Sequence, residues 1–190
     1  MTKVAGAQQA TVHYWPSARR GGRTDGHIAV ELSGGHYLSH MPDMTGQGER
    51  VGVRHDVPGR IGVPLIIRRW PSVRHRSLDN DLEYFGRDKH QTLALPAEIM
   101  VAEMTEAAKG LLLVSAPDEA PLHGPLPYYQ LADSVKGAGD RSQCTTTTAA
   151  CIARGFTLKH QELSKRVSAQ YEPDKLWDVL NEVCAQLGKG

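Results

Sequence analysis

The chain offers a nucleophile and a base in unusual proportion: three cysteines and nine histidines in 190 residues. Cys144 is the cysteine whose surroundings suit chemistry. It lies in Arg141-Ser142-Gln143-Cys144-Thr145-Thr146-Thr147-Thr148-Ala149-Ala150-Cys151-Ile152-Ala153-Arg154-Gly155, after the polar loop Gly137-Ala138-Gly139-Asp140. Ser142 reads as a helix N-cap and Gly155 as the glycine beyond its C-terminus. Cys144 then sits in the first turn. There the positive end of the helix dipole and unpaired N–H groups favour thiolate, the form that attacks carbonyls. The plainer role, a small buried hydrophobe, is the commoner one for cysteine. Cys151, two turns further on beside Ala150 and Ile152, reads as structural. An odd cysteine count without any CxxC argues against a disulfide framework or a zinc cluster.

A thiol nucleophile needs a base and, commonly, a third group that orients the base. His27 opens the strand Gly26-His27-Ile28-Ala29-Val30-Glu31-Leu32, on the face opposite Ile28, Val30 and Leu32. Ser33-Gly34-Gly35 is a hairpin signal, and His36-Tyr37-Leu38-Ser39-His40-Met41 is the return strand. Register selects the third group. A two-residue turn pairs residue i with 69 − i and sets His40 across from Ala29, on the His27 face. A three-residue turn pairs i with 68 − i, brings Ser39 to that face and turns His40 away, because a one-residue slip flips every side chain. The longer reach of imidazole favours His40. A shared metal site is disfavoured: His36 and His40 stand roughly 13 Å apart at ~3.3 Å per residue of strand, and HExxH is absent.

The elements that must carry these residues follow in order. Ala10–Trp15 is a β-type run stopped by Pro16. Val63–Trp70 reads as a strand, with Arg68, Arg69, Arg74 and Arg76 as a solvated basic end. Leu78–Lys89 is ambiguous, with room for a short helix. Pro96 opens a helix in which Met100, Met104, Ala107, Ala108 and Leu111 recur as core positions. Residues 116–127, with four prolines, form an extended loop, and residues 156–171 a connector. Glu172-Pro173-Asp174 starts a final amphipathic helix with Leu176, Leu180, Val183 and Leu187 on one stripe. Strands first and helices later predict an α+β fold, an antiparallel sheet packed against helices. One domain over 1–190 is expected, with 43–130 as family-specific insertions.

Lys+Arg of 22 against Asp+Glu of 21 gives a net charge of +1, which argues against a nucleic-acid role. No apolar run reaches the ~18 residues of a membrane helix. Met1–Gly6 lacks the apolar core of a signal peptide. The expected location is the cytoplasm, or outside the cell by a specialised bacterial secretion system.

The His27 strand, the segment Gly35-His36-Tyr37-Leu38-Ser39-His40-Met41-Pro42 and the Gln143-Cys144 helix together resemble the circularly permuted papain-like cysteine hydrolases. These are the permuted NlpC-type peptidases and the lecithin:retinol-acyltransferase-like enzymes, in which the histidine strand precedes the nucleophile helix. Tyr-Leu-Ser-His-Met-Pro also resembles a motif of related bacterial effector and toxin domains. Where many relatives have Asn before the cysteine, this chain has Gln143. The resemblance implies Cys144 as nucleophile, His27 as base and a third residue at His40 or Ser39, with no cofactor. It implies acyl transfer on an amide bond of a peptide, peptidoglycan or protein substrate, with an immunity or secretion-system partner for an effector. A lipid acyltransferase or thioesterase is the alternative reading. A binding or adaptor module with an incidental cysteine is another.

Overall fold

The computed structural model describes residues 9–17, 19–20, 23–24, 26–42, 49–53, 65–70, 73–75, 77–110, 114–115, 129–132 and 144–188, with side chains over 9–17, 26–40, 77–109 and 144–188. Its centre is a five-stranded antiparallel sheet built from β1 (Ala10–Trp15), β2 (His27–Leu32), β3 (His36–Leu38), β4 (Gln91–Ala94) and β5 (Val114–Ser115), in the order β4-β1-β2-β3-β5. Smaller antiparallel pairings join Arg19–Arg20 to Arg23–Thr24 and His40–Pro42 to Val73–His75, and set Leu65–Trp70 between Glu49–Val53 and Tyr129–Ala132. The expected α+β architecture is present.

The two faces of the sheet differ in chemistry. In the β1–β2 ladder, Ala10, Val12 and Tyr14 stand opposite Leu32, Val30 and Ile28. This apolar face joins one core with side chains from α2 (Val101–Gly110), α3 (Cys144–Arg154), α4 (Gln161–Ser168) and α5 (Pro173–Leu187). The other face carries His13 and Trp15 from β1 and His27, Ala29 and Glu31 from β2, because successive strand residues alternate sides. Helix α1 (Leu78–Phe85), with Gly86 and His90 on either side of a 3₁₀ turn at Arg87–Lys89, supplies its partners.

The hairpin takes the three-residue turn. Val30 pairs with Leu38, Glu31 with Tyr37 and Leu32 with His36, so residue numbers sum to 68. Gly34 and Gly35 have φ of 94° and 79°, a left-handed conformation that side chains disfavour. The same register sets Ser39 across from Ala29 and turns His40 to the opposite side. The return strand also breaks at Ser39, and His40 begins a strand in another sheet.

α3 spans Cys144–Arg154, with Cys144 in its first turn and Gly155 just beyond its end as expected. Four consecutive threonines each cost up to ~0.7 kcal/mol of helix propensity relative to alanine. Burial of one side chain the size of Ile152 returns ~1.5–3 kcal/mol, and Ala149 and Cys151 are buried beside it. Packing therefore holds this helix. Gly155 is needed for space rather than for a left-handed cap. The described glycines with positive φ are Gly34, Gly35 and Gly86, whereas a Cβ on Gly155 would stand 2.6 Å from Ile99 Cγ2 and 2.9 Å from Met104 Cγ.

Other expectations need correction. The helix expected from Pro96 starts at Val101. Pro96 instead opens a turn, its carbonyl accepting from Ile99 N at 3.0 Å, and Met100 N donates to Gly155 O at 2.7 Å. Met100 is accordingly exposed, and only Met104 of the two methionines is core. The expected connector after Gly155 contains α4, with Leu163 and Val167 buried one turn apart. Ser142, Gln143, Leu111, the loop 137–140 and the proline-rich stretch 116–127 lie outside the described residues.

Candidate functional site

His27 is the first residue of β2 and is wholly buried. Its ring is clasped by aromatics. Phe85 stacks parallel to it at 4.5 Å between centroids, and Trp15, its neighbour across the ladder, lies at 5.5 Å. Phe85 ends α1, and one turn earlier the same helix delivers Asp81.

α1 forms because its first turn is well capped. Ser77 Oγ accepts from Asn80 N at 3.3 Å, and Asn80 Oδ1 accepts from Ser77 N at 3.4 Å, a reciprocal capping box. Asp79 and Asp81 in the first turn suit the helix dipole. Asp81 is the one buried residue of this helix. A carboxylate so placed is costly unless donors surround it, and three converge on Oδ2. Ser39 Oγ donates at 2.6 Å, Tyr37 OH at 2.9 Å and His27 Nε2 at 3.1 Å. The His27 Nε2–H is shared with Ser39 Oγ at 3.0 Å. With Nε2 engaged as donor, Nδ1 is left as the basic nitrogen, without a hydrogen-bond partner among the described residues.

The electrostatics follow. Burial works against a charged His27, but the Asp81 charge and hydrogen bond, with a contribution from Cys144, outweigh it and raise its pKa to about 9. Burial would likewise protonate Asp81; the charge and hydrogen bond of His27 and the hydroxyls of Ser39 and Tyr37 hold it below the usual carboxylate range. For Cys144 burial opposes ionisation too. The neighbouring His27 imidazole, then the Ile28 backbone and Thr145, prevail and lower its pKa. Thr145 Oγ1 stands 3.9 Å from Cys144 Sγ.

The other thiols behave oppositely. Burial alone pushes Cys151 up to about 12 and Cys184 up to about 11. Cys151 Sγ donates to Met104 O at 3.3 Å, a packing contact in the core. One thiol of three thus has its ionisation favoured by an imidazole, and that imidazole is bonded to a carboxylate. The set can hold a thiolate–imidazolium pair and pass a proton between sulfur and nitrogen.

Of the residues singled out in the sequence, Cys144 and His27 are brought to adjoining elements, α3 packing on β2 with Thr148 Oγ1 donating to Ile28 O at 3.3 Å. His40 is not the residue that orients His27. The three-residue turn brings Ser39 rather than His40 to the His27 face, and His27 Nε2 is bonded to Ser39 and Asp81. Asp81 was missed. The Ser77–Asn80 spacing ahead of an acidic first turn marks a helix start, but nothing local says that this helix lies over the sheet. Among the described residues no cluster of three or more His, Cys, Asp or Glu is placed to hold a metal ion, and no helix is long and apolar enough to cross a membrane. No family model, curated protein or solved structure matches the chain.

Proposed function

We propose that the protein is a thiol hydrolase acting by acyl transfer, with a permuted papain-like arrangement of its catalytic groups. Cys144 is the nucleophile, His27 the acid–base and Asp81, seconded by Ser39, the group that orients His27. The observation that carries this reading is a buried His27–Asp81 pair at the start of the strand against which the Cys144 helix packs, Thr148 Oγ1 donating to Ile28 O at 3.3 Å. Chain order supports it as well, since the histidine strand precedes the cysteine helix. Nδ1 of His27 takes the thiol proton, and the sulfur attacks a carbonyl carbon. N–H groups at the start of α3 hold the oxyanion. The His27 imidazolium protonates the leaving group, which departs as the thioester forms. Water, deprotonated by His27, then releases the acyl group. An amide bond in a peptide, protein or peptidoglycan stem is the substrate class we favour, and a bacterial effector or toxin the setting.

The test has two stages. At neutral pH iodoacetamide should label Cys144 about a hundredfold faster than Cys151 or Cys184, following its thiolate fraction. Equal, slow labelling of all three overturns catalysis and leaves a binding role. Wild type and Cys144→Ala are then incubated with peptidoglycan and with phospholipid, and the products analysed by mass. New amine and carboxylate termini dependent on Cys144 support the amidase. Released fatty acid instead makes the lipid acyltransferase or thioesterase the correct branch.

A further inference from the structure

The polar face of the sheet carries a second histidine pair that the mechanism above does not use. His13 of β1 and His90 have parallel rings, 5.1 Å apart and 3° from coplanar. His13 Nδ1 and His90 Nε2 are 2.9 Å apart, and His13 Nε2 lies 3.2 Å from Glu31 Oε2. An ionised carboxylate only accepts, so His13 carries its proton on Nε2. Its Nδ1 must then accept from His90 Nε2–H. The direction of the chain His90 → His13 → Glu31 is thereby fixed. His90 also stacks on Trp15 at 4.7 Å, and the edge of His13 meets Tyr37 at 5.6 Å.

The position of His90 gives the pair its importance. It follows α1 and the Arg87–Lys89 turn directly, so residues 78–90 form a strap across this face. α1 buries only Asp81. Besides the Asp81 cluster and the Phe85 stack, the strap is tied by Trp15 Nε1–H donating to Gly86 O at 3.1 Å and by His90 on His13. No buried aliphatic side chain anchors α1, so polar and aromatic contacts decide whether it stays docked.

We propose that His90 is a positioning residue. Bonded to His13, it clamps the 78–90 strap to the sheet and so holds Asp81 and Phe85 against His27; protonation of both imidazoles releases the strap and deactivates Cys144. The second half rests on the hydrolase reading, the clamp itself does not. One added proton is tolerated, since His90 can change tautomer and accept from His13 Nδ1–H. A second proton sets N–H against N–H and cation against cation. The groups facing His13 are Glu31 from β2, Tyr37 from β3, Asp81 from α1 and His90; those facing His90 are His13 and Trp15 of β1. Burial and His90 lower the His13 pKa against the opposing pull of Glu31 and Asp81, and burial lowers that of His90. The neutral pair therefore stabilises the fold above the ordinary histidine value of 6.5, and that contribution fades as pH falls below it.

The test follows two signals in the full chain between about pH 5 and 8, where imidazoles titrate: amide hydrogen exchange over residues 78–90, and the iodoacetamide rate at Cys144. Exchange rates are corrected for the intrinsic effect of pH. Wild type should lose protection and Cys144 reactivity together at the acid end. His90→Gln keeps a donor that cannot take a proton and can turn its amide to accept; its transition should move about one pH unit lower. His90→Ala should exchange fast over 78–90 at every pH while the sheet stays protected. Protection over 78–90 that is the same in wild type and His90→Ala overturns the clamp. If exchange follows His90 while Cys144 is slow at every pH, the clamp stands and the hydrolase reading falls. A reactive Cys144 indifferent to pH and to His90 overturns the switch.

Discussion

His27 is a cation in a place that disfavours cations, and its neighbours decide the outcome. Asp81 lies 3.1 Å from Nε2, and its attraction exceeds the cost of burial. Remove that charge and burial should win. Asp81→Asn is therefore expected to drop the His27 pKa from about 9 to below 6.5, as read from the imidazole protons by NMR. Cys144 loses its counter-ion in the same step. On the proposed hydrolase reading, turnover at neutral pH should fall by about two to four orders of magnitude, the usual worth of a well-placed acid–base. An unchanged His27 titration in that variant would remove Asp81 from the site. The positions of Cys144 and His27 were legible because each sits at a signalled boundary, a helix start and a strand start. Asp81 was not. It is one acid among Asp79, Asp81 and Glu83, and its role depends on a contact 54 residues away in sequence.

Elements were legible where local chemistry sets them. β1 stops before Pro16, and α5 buries Leu176, Leu180, Val183 and Leu187 as its stripe predicts. They were not where two local solutions compete. Ser33-Gly34-Gly35 suits a turn of two or three residues, and only pairing across the sheet selects the longer one, with Ser39 rather than His40 beside His27. Gly155 shows the same limit. Its place beyond a helix suggests a cap, yet the side chains of Ile99 and Met104 are what exclude a Cβ. Gly155→Ala should cost about 1–3 kcal/mol through overpacking, measured by urea denaturation. A neutral result would mean that Ile99 and Met104 move aside without strain.

Across the molecule, the sheet divides labour: one face packs helices and the other holds ionisable groups. This division makes stability depend on pH from both sides. His27 has a raised pKa, so its contribution is full below 6.5 and is lost as pH rises through about 9. His13 and His90 have lowered values, so theirs is full above 6.5 and declines below it. The urea midpoint should accordingly be highest near pH 6.5, falling on the acid side with His13 and His90 and on the alkaline side up to about pH 9 with His27. A midpoint that rises between pH 6.5 and 9 would contradict the buried His27–Asp81 ion pair. That α1 buries a single side chain, Asp81, has a further consequence. Coupling free energies are reciprocal. If docking the helix stabilises the thiolate, then capping the sulfur must weaken docking by the same free energy. The nucleophile is thus also a lever on a helix it does not belong to, and a covalent inhibitor of Cys144 would register as faster exchange at Asp81.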